Sequence, residues 1–233
     1  MKRKLFSVAI VVFALASGLV PLGTSPTYAL QSSSLDGTTA ISGVVSYAVG
    51  LTADEIAGLK YMREEEKLAR DVYTALYAKW SLSIFYNISR SEQKHMDAVK
   101  TLLDRYGIPD PAYGKGPGQF TDPYLQALYN DLVSQGMASR SAALKVGGAI
   151  EEIDIIDLRL RIKQTNKTDI TNAYTNLTNG SYNHLRAFVS ALKQQTGEDY
   201  VPQYLSEADY NAIISGDGGG GGAGGGCRGH CGG

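Results

Sequence analysis

Apolar residues recur every three or four positions through four long stretches of the chain, and nowhere do they settle into the alternation of a strand. The first stretch opens at Thr52-Ala53-Asp54-Glu55, where Thr52 and Glu55 have the spacing of a capping box. Beyond it Ile56, Leu59, Met62, Glu66, Ala69, Tyr73, Leu76 and Trp80 share one helical stripe. The second stretch carries Ile84, Ile88, Glu92, His95, Val99, Leu102 and Tyr106, and Gly107 with Pro109 and Pro111 ends it. A loop rich in glycine and proline, residues 112–120, leads to Asp122-Pro123, the N-cap and first-turn order that starts a helix. That helix is short and ends near Gly136.

Ser139 is placed to cap a third long helix, with Leu144, Gly147, Glu151, Asp154, Ile155, Leu158 and Ile162 on its inner face. Thr168 with Asp169 is expected to cap a fourth, carrying Ile170, Tyr174, Leu177, Ser181, His184, Phe188 and Leu192. Residues 206–214 read as a small closing helix. The expected fold is therefore all-α: a four-helix bundle whose second and third long helices are joined by a long crossover containing the short helix. Long helices of roughly 25 residues would run about 37 Å at 1.5 Å per residue. The tight joint near Trp80 makes the first two antiparallel neighbours.

Upstream of the first helix the pattern changes. Met1-Lys2-Arg3-Lys4 is basic, residues 5–20 are almost wholly apolar, and small or turn-forming residues end at Thr27-Tyr28-Ala29. That order predicts a secretory signal peptide over residues 1–29. The apolar run falls short of the about 20 residues a span requires. Cleavage is expected rather than anchoring, giving a secreted, periplasmic or cell-surface protein without stable membrane insertion. A flexible leader over 30–51, the bundle over 52–215 and a glycine-rich tail over 216–233 complete the predicted organisation. The formal net charge of −1 offers no reason to expect nucleic acid as a partner. A homo-oligomer is left open. Both cysteines, Cys227 and Cys231, lie in the tail, so no disulfide staples the helical body. Their spacing around His230 is not that of a haem attachment site. It leaves a local disulfide or a weak copper or zinc ligand set as alternatives.

Five residues on the inner stripes are the wrong kind for a core. Glu66, Glu92, His95, Glu151 and His184 each stand near the middle of a helix where an apolar side chain is expected. A buried carboxylate without a partner is costly enough to change its protonation, and several would unfold a bundle. A pair of divalent cations removes that cost, since carboxylate oxygen and imidazole nitrogen suit iron and manganese. Glu92 and His95 form a Glu-x-x-His pair, one turn apart on one face. The competing explanation is a buried salt-bridge network. Glu64 and Glu65, beside Glu66, are expected on a solvated face, paired with neighbours such as Lys67 or Arg70. The glycines around Lys115 lack the strand and the Lys-Ser/Thr of a phosphate loop and are expected to be a turn-rich loop.

The segment from Glu66 to Tyr73 resembles the first metal-binding helix of rubrerythrin-type ferritin-like proteins, and Ser91 to Met96 resembles the second. With residues 148–158 and 180–188 included, the chain is similar, over about Thr52 to Ile214, to an uncharacterised prokaryotic ferritin-like family with a domain of unknown function. That resemblance implies a two-iron or mixed iron–manganese centre. It assigns Glu66 as the first-helix ligand, Glu92 with His95 as the second-helix pair, Glu151 as the third-helix glutamate and His184 as the fourth-helix histidine. One position departs from the pattern: the fourth helix of that superfamily carries Glu-x-x-His, and Ser181 stands here where the glutamate would be. Asp154, one turn after Glu151, falls where rubrerythrins keep an extra carboxylate, and is expected to substitute. The alternative is that Asp154 pairs with a neighbour such as Arg186 and that one metal binds.

The functional expectation is an exported metal-carboxylate protein, redox-active towards Fe(II), peroxide or dioxygen, with metal ions and a small oxidant as partners. A non-catalytic metal-storage module and a metal-free structural bundle with a polar core are the alternatives.

Overall fold

The structure is a computed structural model that describes residues 50–216. The expectations of a signal peptide, a leader and a Cys-bearing tail fall largely or wholly outside the described residues. Six helices make up the described chain: α1 (Ala53–Trp80), α2 (Ser83–Arg105), α3 (Pro123–Gly136), α4 (Arg140–Lys163), α5 (Thr168–Thr196) and α6 (Glu207–Ser215). No strand occurs among the described residues. No described helix is long and apolar enough to cross a membrane.

The helix starts follow local chemistry in most cases. Thr52 and Glu55 close a full capping box on α1, Asp122 caps α3 with Pro123 in its first turn, and Ser139 and Ser206 cap α4 and α6. The expected cap on the fourth long helix is formed only in part. α5 includes Thr168, and its N-cap is Lys167, which makes no side-chain capping bond. Asp169 accepts from the Ile170 amide at 3.0 Å, and also from Arg105 Nη1 at 2.7 Å and from the Tyr106 hydroxyl at 2.9 Å. One carboxylate thus serves both the first turn of α5 and a tertiary tie to the end of α2.

The four long helices pack side by side: α1 against α2 and α4, and α5 against α2 and α4. Ser81, in the left-handed region at φ 53°, turns the chain from α1 straight into α2. The start of α1 lies beside the end of α4, where Thr165 donates to Glu55. The end of α1 lies beside the end of α3, where the Trp80 indole donates to the Gly136 carbonyl. The crossover from α2 to α4 therefore travels the length of the helices, and α4 runs antiparallel to α1. α3 covers α1 and α4 on the way.

Two apolar clusters fill the interior. One, including Val72, Leu76, Phe85, Leu144, Leu185 and Phe188, occupies the end near the α1–α2 turn. The other, including Leu59, Met62, Val99, Leu102, Leu158 and Tyr174, occupies the opposite end. Between them lies a belt of buried polar residues.

Residues 62–69 of α1 are buried without a break, although the run includes Arg63, Glu64, Glu65, Glu66 and Lys67. Successive residues on a helix point about 100° apart, so such a run needs cover on every side. The crossover supplies the outer cover. Arg63 pairs with Asp110 at 3.0 Å, and Glu64 accepts from the Thr121 and Asp122 amides at 2.5 and 3.0 Å. Lys67 binds Asp71 and the Gly116 carbonyl and lies over the Phe120 ring, while Asp71 also accepts from the Gly118 amide. The expectation of a solvated face at Glu64 and Glu65 is thereby corrected: both are buried, because the crossover and α3 close over them. The glycine-rich loop is a loop as expected, and these bonds hold it down.

Candidate metal centre

The polar belt draws one residue or more from each long helix: Glu66 from α1, Glu92 and His95 from α2, Glu151 and Asp154 from α4, Ser181 and His184 from α5. Two sets of three ligand-type side chains form within it. Glu66, Glu92 and His95 bring one ligand atom each to within 4.8 Å of one another, and so do Glu92, Glu151 and His184. Glu92 belongs to both. Its Oε2 is 2.7 Å from His95 Nδ1 and its Oε1 is 2.8 Å from His184 Nδ1. His95 Nδ1 also stands 3.2 Å from Glu66 Oε2, and His184 Nδ1 stands 3.4 Å from Glu151 Oε2. The two imidazole rings stack at 5.5 Å between centroids.

The surroundings orient these groups. The Tyr73 hydroxyl donates to Glu151 Oε1 at 2.5 Å, and its ring packs on Phe85 and Phe188. Ser91 Oγ meets His184 Nε2 at 3.0 Å, leaving Nδ1 turned toward the carboxylates. Gly180 allows α5 to approach α2 closely: a Cβ there would lie 2.7 Å from His95 Nε2. The sequence pattern did not single out Ser91 or Gly180. Tyr73 was visible on the Glu66 stripe, but its bond to Glu151 was not.

Several polar atoms in the belt are left over. Glu66 Oε1, Glu92 Oε1, Asp154 Oδ1 and His184 Nδ1 are buried and make no hydrogen bond. Glu92 Oε1 and His184 Nδ1 are thus near each other without being aligned to bond. Buried polar atoms are nearly always paired; Glu92 Oε1 and His184 Nδ1 have each other as an ion pair at 2.8 Å, so it is Glu66 Oε1 and Asp154 Oδ1 that need a cause.

Asp154 stands beside these sets and belongs to neither. Its Oδ2 makes a short contact with Ser181 Oγ, which also reaches the Leu177 carbonyl at 3.0 Å. One hydroxyl carries one proton, so both contacts are satisfied together when Asp154 is protonated and donates to Ser181. Arg186, the alternative partner for Asp154, bonds instead to the Ile213 carbonyl and to Asn183.

Burial and mutual charge set the protonation of the metal-free belt. Burial pushes Glu66 up to about 7, against the pull of His95. Burial also acts to raise Glu92, but His184 and His95 outweigh it and hold Glu92 down at about 2. Burial opposes charge on the histidines, yet Glu66 and Glu92 carry His95 up to about 11, and Glu151 and Glu92 carry His184 up to about 10. Burial pushes Glu151 up and Asp154 well above the usual carboxylate range, with Glu66 adding to the rise at Asp154. Without metal, protons hold the belt together; opposed carboxylates and imidazoles share what a cation would otherwise supply.

The chain belongs to the family described as an uncharacterized protein domain, DUF2202, which it matches over residues 55–217. It is similar to the uncharacterized protein MJ0754 of Methanocaldococcus jannaschii, with 52% identity over 165 residues, 71% of this chain and 89% of that protein. A crystal structure of hypothetical protein MJ0754 from Methanococcus jannaschii matches it with a TM-score of 0.69 at 49% identity, covering 78% of this chain and 98% of that one.

Proposed function

We propose that the protein is a ferritin-like four-helix bundle, exported from the cell, that holds two iron ions, or one iron and one manganese, and uses them in redox chemistry with Fe(II), peroxide or dioxygen. The observation that carries the reading is Glu92. One carboxylate presents one oxygen to each of two Glu/His sets, which is the arrangement a bridging ligand between two cations requires.

The donor set fits. Carboxylate oxygens and imidazole nitrogens are the ligands that suit iron and manganese, and the atoms of the belt that make no hydrogen bond are of those two types. Glu66 and His95 would hold one ion, Glu151 and His184 the other, with Glu92 between them. The three glutamates supply three negative charges against the four positive charges of two dications. Asp154 supplies the fourth if Oδ1 turns toward the pair, which is how it would compensate for Ser181. Two dications close together repel strongly even at an effective dielectric of about 20, so this balance decides whether the second ion stays.

A pair of iron ions, when bound, would supply electrons to a small oxidant. The chain's own residues set the conditions for that transfer. Tyr73 fixes Glu151 by its hydroxyl, and Ser91 fixes the ring of His184. The apolar clusters on both sides exclude bulk water from the belt. His95 and His184 keep 12% and 11% of their side chains exposed, so the α2–α5 side is where a small oxidant would approach.

The test is elemental analysis and anaerobic Fe(II) titration of purified protein, followed by peroxide addition. Two ions per chain with peroxide consumption is the expected result. Two ions without turnover would favour storage, and no metal at any loading would leave a structural polar core.

A further inference from the structure

The two Glu/His sets match at their inner ends and differ behind. Each offers two carboxylates, one of them the shared Glu92, and one imidazole, so charge and donor type favour neither. Access favours neither, since the two histidine side chains are almost equally exposed. The difference lies in what holds each ligand from outside the belt. The Tyr73 hydroxyl donates to Glu151 Oε1 at 2.5 Å, and Ser91 Oγ stands 3.0 Å from His184 Nε2. Tyr73 is itself fixed: it is fully buried, with its ring centroid 5.2 Å from that of Phe188 and 6.2 Å from that of Phe85.

Glu66 and His95 have no such backing. Glu66 Oε1 is buried without a hydrogen bond, and Oε2 meets only His95. His95 turns Nδ1 toward Glu66 and Glu92. Among the described residues no hydrogen bond holds its Nε2. Behind that nitrogen stands the bare backbone of Gly180, so close that a Cβ there would lie 2.7 Å from Nε2 and from Cε1. Gly180 leaves room for the ring but does not tether it.

We infer that the centre fills in a fixed order: the Glu151–His184 set takes and keeps the first divalent cation, with Tyr73 and Ser91 as its positioning residues, and the Glu66–His95 set takes the second and releases it more readily. This rests on the metal-centre reading above. A ligand bonded on its far side is already oriented when the ion arrives, and partners of that kind raise metal affinity. A ligand without one must be ordered by the ion itself, and the lost side-chain freedom is subtracted from binding. Glu92 serves both sets equally and cannot make the difference.

The test is a Mn(II) titration of the metal-free full chain, with free and bound ion followed by electron paramagnetic resonance. Repulsion between two dications would separate the two steps even in a symmetric centre, so the variants decide. Ser91→Ala and Tyr73→Phe are each expected to weaken the first step ~10-fold or more, the scale on which partners behind a ligand act. Ser91→Thr, which keeps the hydroxyl, should restore it. His95→Ala should lose the second ion and keep the first at the affinity of the unaltered protein, its spectrum remaining that of an isolated ion. Ser89→Ala, which removes a hydroxyl bonded to the Tyr86 carbonyl, should leave both steps unchanged. Unchanged first steps in Ser91→Ala and Tyr73→Phe would overturn the order and leave the centre standing, and so would loss of the first ion in His95→Ala. If the unaltered chain binds no Mn(II), the centre itself fails and the order with it. Should Tyr73→Phe not fold, Ser91→Ala, at a half-buried position, decides the matter alone.

Discussion

Glu151 and Glu152 are neighbours on α4, and both are buried. Glu152 is saturated: it accepts from the Tyr200 hydroxyl at 2.6 Å, from the Gln203 amide at 3.0 Å, and from the Tyr204 and Leu205 amides at 2.7 Å each. It pins the segment between α5 and α6. Glu151 lies in the belt, where its partners are the Tyr73 hydroxyl and a histidine beside it, and where nearby carboxylate oxygens find no donor at all. The same contrast separates Glu64 from Glu66 on α1. A carboxylate that closes off backbone amides has a complete structural role. A carboxylate surrounded by other ligand-type groups, with atoms to spare, is balanced in the metal-free chain only by the protons on His95 and His184.

Removing the saturated member should have the largest effect on folding. Glu152→Ala leaves three backbone amides and a tyrosine hydroxyl without their acceptor, at about 1–3 kcal/mol for each group that stays buried and unpaired. A loss of roughly 3 kcal/mol or more is expected from chemical denaturation of the metal-free protein. Metal stoichiometry of the folded fraction should be unchanged. A loss under about 1 kcal/mol would show that water replaces the carboxylate and would blur the contrast.

The belt should behave in the opposite way. Free Fe(II) or Mn(II) at 100 times its dissociation constant should add about 2.7 kcal/mol to stability by linkage. Glu92→Gln, which removes the shared ligand, should abolish that gain. Superimposable melting curves of the unaltered protein with and without metal would remove the basis for treating the belt as a binding site.

A smaller change sharpens the picture within the belt. Asp154→Asn should cut bound metal from two ions to about one, because it removes the fourth negative charge while keeping shape. Ser181→Glu in that background should restore the second ion. Full stoichiometry in Asp154→Asn would confine Asp154 to its bond with Ser181.

The mildest probe is pH. Folded values of about 11 and 10 for His95 and His184 lie above the ordinary 6.5, so their contribution to stability is complete below 6.5 and is lost as pH rises toward those values. Glu66, raised from 4.5 to about 7, likewise contributes below 4.5 and loses that contribution between the two values. Glu92, held down at about 2, works the other way: its contribution is present above 4.5 and is lost as pH falls through about 2. The metal-free protein should therefore lose stability steadily from pH 5 upward. Metal affinity should rise over the same range, since both imidazoles must shed protons to bind. Parallel pH trends for the two quantities would contradict the assignment of His95 and His184 as ligands.

Much of this could be read along the chain. The periodicity of apolar residues marked out the helices, because a helix that buries one face must repeat on that face. The capping box at Thr52, Asp122-Pro123 and Ser139 are local devices, and local devices are written locally. The interruption of four stripes by Glu66, Glu92, His95, Glu151 and His184 was visible for the same reason, and the structure brings those five together.

What could not be read was decided by the crossover and by α3. Periodicity reports a face, and residues 62–69 have no exposed face to report, since neighbouring segments close over the whole circumference of α1. Three glutamates in succession on one helix therefore have identical local signals and three different fates. Glu64 is bonded to the crossover backbone, Glu65 is buried beside Asp157 of α4, and Glu66 is turned into the belt. Asp169 makes the same point, for besides the neighbouring Ile170 amide it is bonded to residues at the end of α2, 63 and 64 positions earlier. The sequence by itself determined which segments are helices and which residues break their apolar stripes. Only the tertiary structure decided which buried charges are already satisfied, because their partners lie on segments far away in the chain.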